Sequence, residues 1–511
     1  MRCVAEAEGT ALPEDLAAAH QLITKLRGDL DRSVRENKWL RHRLDVLSRR
    51  LFGKKAEQLT PGQLVLAYEQ LENETGKADE PVETDSGEGP AVEKKPARRG
   101  RRPIPKNIRR VDVVVDLAEA EKTCAACGET RERIGEDVSE KYDYVPAELV
   151  CRVTRRLKYG GCRCHPGVVS APAPPQAVEK GLAAEGLLAH VLTSKYVDHL
   201  PLHRLEKIFG RHGADISRKT LCDWVAQCAD ALTPIHEQLK KTLVTADYLQ
   251  TDDTPITVLT AGGGSRTGRL WVYVDPIGKR VFFDATATRE REGPERVLKD
   301  FKGYLQADAY SAYDALYRTG RLMEVGCWAH VRRKFFDTRE EDPEALKLLA
   351  LIQKLYEVER QAASMPAQER RDLRREKAAP VLNEIDRVRA ELARTALPKS
   401  GLGEALRYLH NQREALGRYL EDGRLKPDNN GAENQLRVVA VGRKNWLFAG
   451  SQDGARRAAV LYTLAQGCKL AGIEPFRYFK DVLLRVATHP ASRIDELTPT
   501  GWAAAFAPTS A

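Results

Sequence analysis

Steps of alternately three and four residues from Leu16 meet Leu16, Ala19, Ile23, Leu26, Leu30, Ser33, Asn37, Leu40, Leu44, Leu47 and Leu51, and nine of these eleven positions are apolar. An apolar seam of this period predicts a coiled coil within residues 1–75, in which Asn37 at a seam position fixes register and strand number. The alternative is one amphipathic helix packed on its own protein. The period then ends. Residues 76–110 are dominated by Gly, Pro and charged side chains, cannot bury enough surface to order themselves, and read as a linker.

Helical spacing returns over residues 171–240. There "DHLPLHRLEKIFGRHGADISRKTLCDWVAQCADAL" has the layout of a helix-turn-helix. Ser217 is expected to cap the second helix, with Arg218, Lys219 and Thr220 in its first turn and Leu221, Trp224 and Val225 facing the core. After Leu249 the pattern changes to strands: "LQTDDTPITVLT", "RLWVYVDP" and "RVFFDATA" predict three in succession. A helical "GPERVLKDFKG" leads to a fourth apolar run in "YLQADAYSAYDAL" and a fifth in "LMEVGCWAHV". The order βββαβαβ is that of a ribonuclease-H-like domain, its first part at 241–338. Residues 339–424, rich in Glu, Arg, Ala and Leu at helical period, predict a helical insertion. Residues 425–455 then supply the domain's last helix and 456–511 a C-terminal helical region. The fold class expected is multidomain α+β.

Composition adds a partner. Of 511 residues with formal net charge +9, residues 94–110 contain nine Lys and Arg and no acid, so a polyanion is expected, met first by the linker. Its "RRGRRPIP", with Arg99, Arg101 and Arg102, resembles arginine-glycine hooks that lie in the minor groove of A·T-rich DNA; a solvated basic tether is the alternative. The absence of a leader and of any apolar run of about 18 residues argues against a membrane partner and for a cytoplasmic, nucleoid-associated protein. Under reducing conditions ten cysteines read as metal ligands or buried thiols. Within 111–170, Cys124 and Cys127 form one knuckle and Cys162 and Cys164 an irregular second, with His165 as a substitute ligand for structural zinc.

Three acids stand where that domain order needs them: Asp252 in the first strand, Asp308 at the end of the fourth, Glu433 on the late helix. Two Mg²⁺ (or Mn²⁺) ions acting on a phosphodiester need shared carboxylates from several elements. Asp253 points to the opposite strand face, and Asp275, Asp284 and Asp314 read as turn or outer residues. Arg437, one turn beyond Glu433, is placed to hold a phosphate, with Arg443 and Lys444 tracking the DNA backbone. His330 reads as a buried structural histidine.

The blocks "TDDTPITVL", "YLQADAYSAYD", "GCWAHVRRKF" and "DNNGAENQLRVVAVGRKNWLFAGS" resemble the signatures of the transposase of the insertion sequence 66 family, a bacterial DDE transposase. The resemblance extends to "LSRRLFGKKAEQL", "SKYVDHLPLHRLEKIFGRHG", "PFRYFKDVLLRVATHP" and "IDELTP". It implies that Asp252, Asp308 and Glu433 are the DDE triad, and that linker, zinc module and helix-turn-helix handle element ends. It further implies terminal repeats and target DNA as partners and accessory proteins of the same element, while the coiled coil by itself predicts homo-oligomerisation, with another protein as the alternative partner. Two departures stand out: Asp253 replaces the usual Glu, and Gly161 falls where the second knuckle's first Cys is usual. The activity implied is phosphodiester hydrolysis followed by strand transfer. A hydrolysis-only nuclease or resolvase of the same fold and a catalytically dead DNA-binding protein are the competing classes.

Overall fold

The computed structural model describes residues 149–155, 158–160, 168–170, 176–178, 181–260 and 262–506. The expected coiled coil, Arg99, Arg101, Arg102, Cys124, Cys127, Cys162, Cys164 and His165 lie outside the described residues. The described residues from Arg152 onward belong to one compact unit, which carries the sheet and helices that follow.

A five-stranded mixed sheet is the centre of this unit. Its strands are β1 (Tyr248–Leu259), β2 (Ser265–Asp275), β3 (Arg280–Thr286), β4 (Gly303–Gln306) and β5 (Leu322–Val325), in the spatial order β3-β2-β1-β4-β5. The first three form an antiparallel meander, with Asp252 opposite Val272 and Asp253 opposite Trp271. β4 and β5 run parallel to β1 and to each other, in the register Tyr248↔Tyr304 and Gly303↔Leu322. The first half of β1 is buried on both faces because helices cover both. Its second half alternates, with Ile256 and Val258 buried and Thr257 and Leu259 exposed. β4 starts at a glycine for a steric reason: Gly303 has φ +133°, and a Cβ there would lie 2.3 Å from the Asp247 carbonyl oxygen.

The helices sort into layers around this sheet. α1 (Glu185–Tyr196), α2 (Leu202–Arg211) and α3 (Arg218–Leu243) precede it, and α4 (Glu292–Leu298) links β3 to β4. After β5 come α5 (Trp328–Thr338), α6 (Ala345–Gln361), α7 (Ala379–Leu392) and α8 (Gly401–Asn411), then α9 (Asn430–Trp446), α10 (Gln452–Ala471) and α11 (Pro475–Arg485). One core joins Val272 and Phe283 of the sheet to Leu232 of α3, Val439 of α9 and Leu461 of α10. A second, around Trp271 and Phe301, fills the other face. A third is almost wholly helical, built from α5 to α8 and touching the sheet through Tyr248 and Val325. Each large apolar side chain buried in these cores stabilises by about 1.5–3 kcal/mol.

The helix-turn-helix candidate has the expected cap. Ser217 Oγ accepts from the Thr220 amide at 3.2 Å, while Leu221, Trp224 and Val225 are buried. α3, however, runs on for 26 residues, and its second half joins the sheet, where His236 Nε2 lies 2.9 Å from the Phe283 carbonyl oxygen. The Arg218 amide already donates to the Glu206 carboxylate of α2 at 2.8 Å. The first turn therefore offers phosphate fewer open amides than a bare helix end would.

Candidate active site

The three acids lie on three elements. Asp252 is in the middle of β1, where its Oδ1 accepts from the Asp253 amide at 2.8 Å. Asp308 follows the end of β4. Its Oδ1 accepts from the Tyr310 amide at 3.2 Å, and its carbonyl accepts from the Tyr408 hydroxyl of α8 at 3.2 Å. Between Asp308 and Tyr310, Ala309 takes φ +61°, a left-handed conformation costing a non-glycine residue about 1–2 kcal/mol. The turn that aims Asp308 thus carries strain held by its surroundings.

Glu433 sits in the first turn of α9, and β1 fixes that helix at both ends. Asn429 is fully buried and donates through Nδ2 to the Thr251 carbonyl at 3.2 Å, while Gln250 Nε2 donates to the Asp428 carbonyl at 2.8 Å. Near the other end, Arg443 Nη1 donates to Thr254 Oγ1 at 2.8 Å and to the Pro255 carbonyl at 2.7 Å. Arg443, expected on DNA, is therefore tied through Nη1 to the strand. Arg437 and Lys444 on the same helix are exposed, as are Arg218 and Lys219 on α3.

The acids feel one another. Burial, reinforced by the charges of Asp308, Glu433 and Asp253, pushes the Asp252 carboxyl up to about 7 against the pull of the Asp253 amide. Asp253 is itself neutralised on the opposite face. Its carboxylate meets Arg269 at 3.0 Å and Arg289 at 2.8 Å, and Arg289 also reaches within 3.7 Å of Asp308 Oδ2 while stacking 3.8 Å over the Tyr310 ring. Beside Glu433, its Oε2 is 3.9 Å from Arg333 Nη2 and its Oε1 is 3.7 Å from His330 Nε2. Burial lowers the His330 imidazole, with Glu433 and Asp308 pulling it back up.

The sequence reads His330 as merely structural, yet it faces Glu433. The signal available in the sequence is the Cys327-x-x-His330 spacing, which puts both side chains on one side of a helical turn. Arg289 leaves no such signal, because its partners are 36 and 19 residues away along the chain.

Divalent cations fit this donor set. Glu433 Oε1 is buried with no hydrogen-bond partner among the described residues, and Asp252 is charged at neutral pH only against its surroundings. A cation bound at either carboxylate would relieve it, although Asp252, Asp308 and Glu433 do not each bring an oxygen within 4.8 Å of the other two.

Comparison with known proteins gives the family. Residues 180–457 match the profile described as the transposase IS66 family, 121–165 the zinc-finger binding domain of transposase IS66, 463–500 the IS66 C-terminal element, and 39–113 the transposase C of IS166 homeodomain. The first match contains all three acids, and the second contains Cys124, Cys127, Cys162, Cys164 and His165. Among relatives, the uncharacterized proteins y4hP and y4qI of Sinorhizobium fredii (strain NBRC 101917 / NGR234) are each 33% identical to this chain. The alignment with y4hP covers 91% of this chain and 89% of the relative, and that with y4qI covers 95% and 92%. The chain belongs to the IS66 family of transposases. Among the described residues, no helix is long and apolar enough to cross a membrane.

Proposed function

We propose that this transposase works on a ribonuclease-H-like domain in which Asp252, Asp308 and Glu433 hold two Mg²⁺ or Mn²⁺ ions. The sheet order, an antiparallel meander followed by two strands parallel to β1, supports the fold. The observation that carries the site is the seat of α9 on β1 through the Asn429–Thr251 and Gln250–Asp428 bonds, which holds Glu433 next to the strand of Asp252 while Asp308 follows the neighbouring β4, all within the matched segment.

The reaction has two in-line displacements. Water attacks phosphorus at the element end, and the P–O3′ bond breaks to leave a 3′-hydroxyl. That hydroxyl then attacks a phosphorus of target DNA, forming a new P–O3′ bond as the target's own P–O3′ bond breaks. Bound divalent ions would polarise the attacking oxygen and stabilise the leaving one. Asp252, Asp308 and Glu433 position that charge, and the β1 contacts of α9 keep Glu433 in register with Asp252. Arg437 holds a phosphate beside Glu433, and Lys444, about three turns further along α9, tracks the DNA backbone together with Arg443, which also braces the helix.

The other modules complete the reading. Arg99, Arg101 and Arg102 take the minor groove, and Arg218 and Lys219 take phosphates of the terminal repeats. Cys124, Cys127, Cys162 and Cys164, with His165 in reserve, hold structural zinc. The coiled coil pairs subunits, and accessory proteins of the same element join them at the nucleoid.

The test is strand transfer with pre-cut element ends and a plasmid target in Mg²⁺ or Mn²⁺. Wild type should give joined products and Glu433→Ala none. Cleavage without joining by wild type would favour a hydrolytic nuclease, and joining by Glu433→Ala would remove Glu433 from the site.

A further inference from the structure

The carboxylate centre leaves two neighbours of Glu433 unexplained. Cys327, 2% exposed, forms the N-terminal boundary of α5, and His330 lies one turn further on. A ligand atom from each of Cys327, His330 and Glu433 lies within 4.8 Å of the other two, the one such trio found among the described residues. Glu433 Oε1, the oxygen facing Nε2 of the imidazole, is buried without a hydrogen-bond partner among the described residues, an arrangement that folded proteins rarely tolerate unless something binds there. Arg333 approaches the other oxygen, Oε2, leaving Oε1 turned towards the imidazole.

The donor chemistry is specific. Magnesium takes oxygen ligands and keeps its waters, whereas thiolate, imidazole and carboxylate together suit a softer ion that accepts three protein ligands and leaves a position open. The 3.7 Å between Nε2 and Oε1 is a separation that two ligands of one such ion, each about 2.0–2.2 Å from it, can span.

We propose that Cys327, His330 and Glu433 bind a transition-metal dication of the zinc class, sharing Glu433 with the carboxylate centre. The site stands without catalysis; only its consequence rests on the function proposed above. Occupancy commits Glu433 Oε1 to the trio and leaves Oε2 alone for the centre shared with Asp252 and Asp308. Trace zinc would then inhibit the magnesium-supported reaction.

The test uses full-length wild type, His330→Gln, Cys327→Ser and Asp252→Asn, loaded with Zn²⁺ and dialysed, with bound zinc per chain measured by atomic emission. Parallel samples in Co²⁺ report thiolate ligation through the sulfur-to-cobalt absorption. His330→Gln should hold one zinc fewer than wild type, Cys327→Ser should lose part of the sulfur-to-cobalt band, and Asp252→Asn should keep both. The cysteine module at 121–165 contributes equally to all four proteins. Should Cys327→Ser fail to fold, His330→Gln decides by itself, because its side chain is 20% exposed and its Nδ1 has no hydrogen bond to lose among the described residues. Equal zinc in wild type and His330→Gln overturns the site. So does a zinc lost in Asp252→Asn as well, which would place the ion among the carboxylates. None of these readouts uses DNA, so a failed strand-transfer assay would leave the zinc stoichiometry and the cobalt band as measured.

Discussion

At the scale of single residues, Asp252 is where folding and metal binding oppose each other. Its carboxyl is raised to about 7 in the folded chain, so between roughly pH 4 and 7 the folded state holds a proton that the unfolded state has released. Stability from this group is therefore present at low pH and lost as pH rises through 7. At about 1.4 kcal/mol per unit the full loss is on the order of 4 kcal/mol. Urea unfolding in magnesium-free buffer should show wild type losing stability from pH 5 to pH 8, and Asp252→Asn losing markedly less. Added Mg²⁺ should restore more stability to wild type at pH 8 than at pH 5. An Asp252→Asn slope equal to that of wild type would assign the pH dependence to other groups. Asp252 was legible from sequence because a strand's alternation places a side chain without knowledge of its neighbours. His330 was not, since its contact with Glu433 spans 103 residues and exists only once the helices of 339–424 have folded back.

At the scale of elements, the seat of α9 on β1 sets where Glu433 points, and Gly431 makes that seat possible. A Cβ at Gly431 would lie 2.1 Å from Gln250 Oε1. Gln250 cannot simply swing away, being buried and bonded to the Asp428 carbonyl. Gly→Ala in a helix normally gains about 0.5–1 kcal/mol, whereas forcing an atom into a packed contact costs about 1–3 kcal/mol. The clash should win, and Gly431→Ala should both lower the denaturation midpoint and reduce joined products. Unchanged stability together with full joining would show that the helix has room to shift. The insertion supports the same seat. Arg374, fully buried, clasps Glu359 through two contacts of 2.7 Å and donates to the carbonyls of Tyr419 and Leu425, on the segment leading into α9. The helical period of this stretch was visible in the sequence. That one of its arginines would be buried was not, because period reports a helix's faces and not the carbonyls of a distant loop.

At the scale of the whole molecule, charge separates binding from chemistry. The nine cations of residues 94–110 equal the chain's net charge of +9, so the remaining residues are formally neutral together. If the linker lies on DNA, most of the salt-sensitive affinity belongs there, while the folded unit adds a few phosphate contacts around Glu433. Each phosphate neutralised contributes about 0.9 to the slope of log K against log salt. Replacing Arg99, Arg101 and Arg102 by alanine should therefore flatten that slope by about 2.7, and Glu433→Ala should leave it unchanged. Lys444→Ala should remove about one contact, whereas Arg443→Ala should also lower stability, because Arg443 Nη1 ties α9 to Thr254 and Pro255. Binding isotherms across about 50–200 mM salt measure all four variants. A slope untouched by the triple change would make the linker a tether and return the DNA contact to the folded unit. A slope that falls with the linker while pre-cut ends still join at low salt would show that the linker supplies affinity and the carboxylate centre the reaction.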